Sequence, residues 1–235
     1  MGLQPQAVVI SWNQSHWALE PAVTNHEQPV TNEETVRRAA EELTECLSSR
    51  QLLGIISALS KAVENAEPYT DAHQSATAQF GLELAGRMGI SGASLQLIHL
   101  GARLHDIGKI GVPQSLLLRP GKLTAAEFAV IKQHCRIGKE IVRNINFGMP
   151  IAEVIEQHHE KLDGSGYPNG LTGTAIMSEA MVVEIADIVD AMRSNRGYRP
   201  AMTLDAIILA LEKESGSGLP STYIDAAIDL LRQTA

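Results

Sequence analysis

The sequence has few cysteines and no long hydrophobic run, and each shortage excludes a class of protein. Its two cysteines, Cys46 and Cys135, lie far apart among 235 residues and form no CxxC motif, which argues against a disulfide scaffold. No apolar run approaches the roughly 18 residues that a membrane span requires. We therefore expect a soluble, cytoplasmic protein with no membrane partner, whose cysteines are ordinary reduced thiols.

Positive charge is also scarce. The chain carries 19 Lys and Arg residues against 27 Asp and Glu residues, a formal net charge of -8. A protein that follows a phosphate backbone usually carries a basic stripe, and the sequence contains none. We expect no DNA binding, and an anionic ligand would need local positive charge, such as bound cations.

The N-terminal part differs in composition from the rest. The first 36 residues contain no Lys or Arg, three prolines and both tryptophans, Trp12 and Trp17. This stretch is either a mobile tail or a segment docked through its tryptophans, and its residues do not separate the two. We treat residues 1–49 as an extension with one helix from about residue 32, and residues 50–235 as one domain.

Helical periodicity dominates the remainder of the chain, and no stretch alternates convincingly enough to predict a sheet. The fold class predicted is therefore all-α. Thr124 followed by Glu127 has the form of a capping box at the start of a long helix. Helices are predicted over 52–67, 71–88, 94–105, 124–144, 150–160, 178–193, 203–214 and 220–233.

Several histidines have neighbours that suit a metal site. His158 and His159 are adjacent, and neighbouring helical side chains point about 100° apart, so they cannot both serve one apolar face. His105 is followed by Asp106, and a carboxylate can bridge two cations where an imidazole cannot. Nitrogen and oxygen ligands without thiolates suit iron or manganese better than structural zinc. The histidines read as ordinary surface or core residues are His16, His26 and His99.

A further carboxylate is available in the segment EIADIVDAM. Asp187 lies among apolar neighbours there, and a buried Asp without a partner would be costly. Asp190, three residues later, is an alternative ligand that the residues alone do not exclude.

Three long motifs, in this order and spacing, resemble the HD-GYP subgroup of the HD metal-dependent phosphohydrolases. They are LHDIGKIGVP, HHEKLDGSGYPNG and EIADIVDAMRSNRGYRP. His105 and Asp106 correspond to the HD pair, and Gly166, Tyr167 and Pro168 to the GYP tripeptide. The resemblance covers about four-fifths of the chain, from about Arg50 to the C-terminus.

The resemblance implies an HD-domain helical bundle that uses two divalent metal ions, iron or manganese, to hydrolyse a cyclic dinucleotide, usually cyclic di-GMP. A hydroxide activated by both ions would attack the phosphodiester. Carried over by position, one ion takes His73, His105 and Asp187, which favours Asp187 over Asp190. The other takes the three ligands His134, His158 and His159, and Asp106 bridges both ions.

The resemblance also implies residues that contact the substrate. Lys109 would stabilise charge at the scissile phosphate, so we assign catalytic roles to Lys109 and Asp106. Arg196 and Arg199 correspond to family arginines that contact phosphate or guanine, which suits their forked donors. Tyr167 is added to this substrate-binding set.

Two departures from the family pattern bear on the product and the rate. Some members hold a third metal with a Glu one turn before the first ligand, where this chain has Tyr69. We therefore predict two metals and a reaction that stops largely at linear pGpG rather than GMP. Gly197 replaces a family proline in RGYR and would loosen substrate placement.

Alternatives remain open at the level of the sequence. The substrate could be pGpG itself or cyclic GMP-AMP, because base recognition rests on few residues. The domain could also be a weakly active signalling module that binds a cyclic dinucleotide or a partner protein. Regulation through a homodimer or a regulatory partner is left open as well.

Overall fold

A computed structural model describes residues 8–13, 16–21, 49–66, 73–119, 121–195 and 200–234. Contacts divide the chain into two units, Met1–Cys46 and Leu47–Ala235. The predictions for the helix near residue 32 and for Tyr69, Arg196, Gly197 and Arg199 lie outside the described residues. The proposed division at residue 49 stays a prediction.

The N-terminal unit contains a β-hairpin, so the prediction that the chain has no sheet was wrong here. Strand β1 (Val8–Asn13) pairs antiparallel with β2 (His16–Pro21), with Trp12 opposite Trp17. Strand β1 is rich in Val, Ile and Trp, which favour extended backbone, whereas β2 contains only Trp of these three. A two-residue connection joins them, which is the commonest length for a hairpin.

The second unit is helical along the described residues, which confirms the all-α fold class for this part of the chain. It begins with α1 (Ser49–Ala66), α2 (His73–Arg87) and α3 (Ala93–Leu104). A 3-10 turn (Ile107–Gly111) leads to α4 (Gln114–Leu117), α5 (Ala125–Ile131), α6 (His134–Val142) and α7 (Ile151–Gln157). A second 3-10 turn (Gly173–Ala175) precedes α8 (Ser178–Arg193), α9 (Leu204–Glu214) and α10 (Ser221–Gln233).

The long helix predicted over 124–144 is correct at its start and wrong in its middle. Thr124 and Glu127 form the predicted capping box. The helix then divides into α5 and α6, because the His134 ring hydrogen-bonds the carbonyl of Ile131 that an unbroken helix would use. The break places His134 at the first position of α6, where it is buried.

One hydrophobic core joins the helices of the second unit except α4 and α5, which contribute no residue to it. Helix α8 lies at its centre, with Ile185 fully buried, and packs against α2, α3 and α7. Leu84, Ile98 and Ile155, from those three helices, are also fully buried. The core therefore fixes α8, which carries Glu184, Asp187 and Asp190, relative to the histidines. Among the described residues, no helix combines the length and apolar character needed to cross a bilayer.

Candidate metal centre

Three of the predicted histidine ligands lie within three residues after the C-terminal end of a helix. In each, the ring Nδ1–H donates to the backbone carbonyl three residues earlier, a group that a helix end leaves without an intrahelical partner. These bonds, with their lengths, are His105 to Ala102 (2.8 Å), His134 to Ile131 (2.8 Å) and His158 to Ile155 (2.7 Å). Each Nε2 is thereby left without a proton and directed into the centre.

The other two predicted histidine ligands are oriented by carboxylates of α8. His73 Nδ1 lies 2.6 Å from Asp190 Oδ2, and His159 Nδ1 lies 2.7 Å from Glu184 Oε2. A carboxylate at Nδ1 fixes the ring and increases the basicity of Nε2, an arrangement common around protein-bound metals. Asp190, the alternative ligand, therefore contacts the ring nitrogen of His73 that faces away from Asp187.

Two aspartates supply oxygen atoms between the histidines. Asp106 Oδ2 lies 3.3 Å from His105 Nε2 and 3.8 Å from His73 Nε2, while Oδ1 lies 3.6 Å from His134 Nε2. Asp187 Oδ1 lies 3.2 Å from His73 Nε2. The two oxygens of Asp106 thus face different histidines, as a bridging carboxylate requires.

The remaining imidazoles cluster beside Asp106. His134 Nε2 and His158 Nε2 are 3.3 Å apart, and the ring centroids of His158 and His159 are 4.0 Å apart. Three groups of side chains among the described residues have ligand atoms close enough to hold a metal ion. These are His73 with His105 and Asp106, His134 with Cys135 and His158, and His159 with Glu184 and Asp187.

The buried groups of the centre differ in charge. Burial lowers the pKa of His134 to about 4 and lowers that of His158 as well, so both imidazoles are neutral. Burial would raise the pKa of Asp106, but the Lys109 ammonium holds it well below its usual range. Burial would lower the pKa of His73, but Asp187 and Asp190 raise it to about 10, so this imidazole must release a proton before it can bind an ion.

The donor set fits divalent ions. His105 is fully buried, and its Nε2 has no hydrogen-bond partner among the described residues. A buried polar atom without a partner is costly unless something else satisfies it, and a cation at this point would do so. Imidazole nitrogens mixed with carboxylate oxygens are common ligands of divalent transition metals. The residues therefore fit a metal centre.

Lys109 lies at the edge of this cluster. Its Nζ is 2.8 Å from Asp106 Oδ2, across one turn of the 3-10 helix that follows the HD pair. The side chain is mostly buried, so the charge lies in a partly desolvated position where it acts strongly on neighbouring groups.

The loop that carries the GYP tripeptide closes one side of the centre. The buried Glu160 accepts hydrogen bonds from the backbone N–H groups of Asn169 (2.7 Å) and Leu171 (2.9 Å). The Tyr167 ring centroid lies 4.8 Å from that of His159. A Cβ at Gly166 would come within 2.4 Å of the Lys161 backbone nitrogen, so this position accepts only glycine.

Exposed aromatic and cationic groups lie next to Tyr167. Phe128, which is 43% exposed, meets the Tyr167 ring edge to face, with centroids 6.1 Å apart. Lys132 Nζ lies 4.9 Å from the Tyr167 ring centroid and 5.0 Å from that of Phe128. The mouth of the centre therefore offers an aromatic surface and a positive charge.

The structure brings the predicted ligands, Lys109 and Tyr167 into one site. Sequence reasoning missed Glu184, Cys135 and the role of Asp190. The signal for two of these was present, because Glu184, Asp187 and Asp190 recur at a spacing of three and lie on one side of α8. Cys135 had no such signal, and burial raises the pKa of its thiol.

Five histidines and Asp187 around a central carboxylate, Asp106, within an all-helical domain are the arrangement that the HD class of domain predicts. The HD domain family model matches residues 51–223. The chain belongs to this family, and the resemblance read from its HD and GYP motifs is confirmed.

Curated relatives carry names from cyclic dinucleotide signalling. The chain is 40% identical over 178 residues to the cyclic di-GMP phosphodiesterase response regulator RpfG of Xanthomonas campestris, covering 74% of this chain and 46% of that protein. It is 36% identical to a cyclic di-GMP phosphodiesterase of Thermotoga maritima, covering 77% and 50%. It is also 36% identical to 3'3'-cGAMP-specific phosphodiesterase 3 of Vibrio cholerae, covering 68% and 35%. The chain thus spans half or less of the length of these relatives.

Solved structures share the fold. Bd1817, an HDG"Y"P protein from Bdellovibrio bacteriovorus, matches with a TM-score of 0.60 at 22% identity, covering 85% of this chain and 70% of that one. The HD domain of the phosphodiesterase PgpH from L. monocytogenes, solved with cyclic-di-AMP, matches with a TM-score of 0.53 at 20% identity, covering 75% and 94%. At these identities the similarity concerns the fold alone.

Proposed function

We propose that this chain is a metal-dependent phosphodiesterase that hydrolyses cyclic di-GMP, chiefly to linear pGpG. The observation that carries the proposal is the centre itself, in which the two oxygens of Asp106 face histidines from different helices and Lys109 lies beside them. Relatives named cyclic di-GMP phosphodiesterases, at 36–40% identity, support the choice of substrate.

Two divalent ions, iron or manganese, would be held by the ligands predicted from the sequence. One group comprises His73, His105 and Asp187, the other comprises His134, His158 and His159, and Asp106 is shared. Bound ions would supply Lewis-acid activation of a water molecule and positive charge opposite the phosphate. The neutral state of His134 and His158 supports their assignment, because a protonated imidazole cannot ligate.

The chain's own side chains would bind and orient the dinucleotide. Lys109 has an ammonium 2.8 Å from Asp106, from which it can donate to a phosphate oxygen as charge develops. Tyr167, with Phe128 beside it, offers an aromatic surface on which a purine base can stack. Arg196 and Arg199 are proposed to bind phosphate or guanine, on the strength of the family motif.

The test is hydrolysis of cyclic di-GMP by protein stripped of metal and reloaded anaerobically with Fe²⁺ or Mn²⁺. We expect pGpG as the main product, separated by chromatography. Lys109→Met should lower kcat by about 100- to 1000-fold. Lys122→Met, at an exposed lysine in the loop before α5, is the matched control and should not change kcat. Formation of neither pGpG nor GMP with either metal would refute the proposal.

Hydrolysis of 3'3'-cGAMP is the second candidate. The observation that favours it is the 36% identity to a Vibrio cholerae enzyme named as specific for that molecule. The two cyclic dinucleotides differ in one base, so the centre itself does not separate them. Comparison of kcat/KM for both substrates decides between the two, and a larger value for 3'3'-cGAMP would replace the first assignment.

A further inference from the structure

Lys161 follows the histidine pair and extends away from the ligands. Its Nζ lies 3.0 Å from Glu184 Oε1 and 3.1 Å from Glu214 Oε2. The other oxygen of Glu184, Oε2, accepts the His159 Nδ1–H bond at 2.7 Å. A continuous chain of charged contacts therefore runs from His159 through Glu184 and Lys161 to the end of α9.

Glu184 needs this lysine for an electrostatic reason. The residue is only 4% exposed, and an ionised carboxylate at that depth is costly unless it is paired and hydrogen-bonded. His159 satisfies one oxygen and Lys161 satisfies the other. Among the lysines and arginines that the structure describes, Lys161 forms an ion pair with Glu184.

Glu184 lies close to two of the predicted ligands. Its carboxylate oxygen lies within 4.8 Å of ligand atoms of His159 and Asp187. A carboxylate released from Lys161 could therefore turn towards an ion and give up its bond to the His159 ring. His159 would then lose the contact that fixes its tautomer and orientation.

We infer that Lys161 is a positioning residue for the metal centre. Its ammonium holds Glu184 as the hydrogen-bond acceptor of His159, so that His159 Nε2 remains directed at the ion held with His134 and His158. This inference rests on the proposed metal centre but not on the identity of the substrate. The ion-pair partners of Lys161 are Glu184 and Glu214, neither of which is a predicted ligand.

The test is a Mn²⁺ titration of the metal-free full chain, with free Mn²⁺ followed by electron paramagnetic resonance. Lys161→Met preserves side-chain length and removes the charge. We expect the affinity for one of two ions to fall by about 10- to 100-fold, while the other ion binds as in the wild type. Glu214→Gln is the matched control, because it weakens the outer contact of Lys161 and leaves Glu184 paired, and both affinities should stay unchanged.

The outcomes separate positioning from a general loss of structure. Unfolding of the metal-free variants, followed by circular dichroism, shows that the titrations are made on folded protein. The inference is overturned if Lys161→Met binds both ions like the wild type, or if both variants lose affinity equally. If the wild type cleaves no cyclic dinucleotide but Lys161→Met still loses one ion, the inference stands and the substrate assignment falls.

Discussion

Gly108 should be the least replaceable residue outside the ligand set. It follows the HD pair in the 3-10 turn, where its Cα faces the backbone of α6. A Cβ built there would lie 1.8 Å from the carbonyl oxygen of His134 and 2.5 Å from the backbone nitrogen of Gly138. Neither neighbour can rotate away, because both are backbone atoms.

The size of the disturbance follows from these distances. Contacts of a Cβ below 3.0 Å are essentially never seen, so Gly108→Ala must move the two backbones apart by about 1.2 Å. The same shift would separate Asp106 from His134, whose ligand atoms are 3.6 Å apart. We expect a loss of about 1–3 kcal/mol in the free energy of unfolding. Because a misplacement of about 1 Å can cost 100-fold in rate, kcat/KM should fall by about that factor.

Urea unfolding of metal-free protein and hydrolysis by metal-loaded protein measure the two effects. Gly86→Ala is the control, because a Cβ at this exposed position in α2 would meet nothing within 4 Å. That variant should gain about 0.5–1 kcal/mol, since alanine is the better helix former, and keep its activity. A Gly108→Ala protein with the wild-type urea midpoint and Mn²⁺ affinity would refute the steric reasoning.

Further variants and metal removal test the rest of the centre. Asp190→Asn keeps an acceptor for His73 Nδ1 but removes its charge, so Mn²⁺ affinity should fall by about 10-fold in the same titration, and an unchanged affinity would contradict the contact. Glu160→Gln places an amide N–H against a backbone donor, which should cost about 1–3 kcal/mol in urea unfolding and speed proteolysis of loop 163–172. Thr124→Ala should cost about 1 kcal/mol by loss of the cap while leaving Mn²⁺ binding intact. Chelation of the metal should lower the unfolding temperature of the wild type. An ion present at 100 times its dissociation constant adds about 2.7 kcal/mol to the free energy of unfolding, and chelation removes this amount. An unchanged unfolding temperature would argue against the centre.

Local signals in the sequence were sufficient for most of the helical framework. The periodicity of apolar residues and the Thr124–Glu127 pair act within a few residues, so they predict elements without knowledge of their neighbours. The break between α5 and α6 was not predictable in this way. It depends on the hydrogen bond from the His134 ring to the Ile131 carbonyl. That ring orientation also directs Nε2 at Asp106, which is distant in sequence and lies across the site.

The candidate ligands were accessible from residue chemistry and family resemblance together, whereas the carboxylates behind them were not. Glu184 contacts His159 only because α8 packs beside the end of α7. The local sequence around either residue does not predict that these two side chains meet. The hairpin was missed although its two strands are neighbours in the sequence. Its strands are defined by residue preference and by pairing with each other rather than by the alternation that one buried face produces.

The two ways of holding the imidazoles give the centre unequal tolerance to evolutionary change. His105, His134 and His158 rely on main-chain carbonyls, which no point substitution can delete. His73 and His159 rely on Asp190 and Glu184, side chains that a single codon change can replace. Substitutions during evolution therefore leave the acceptors that orient three ligands in place. Substitution of Asp190 or Glu184 can change ion affinity without removing a ligand.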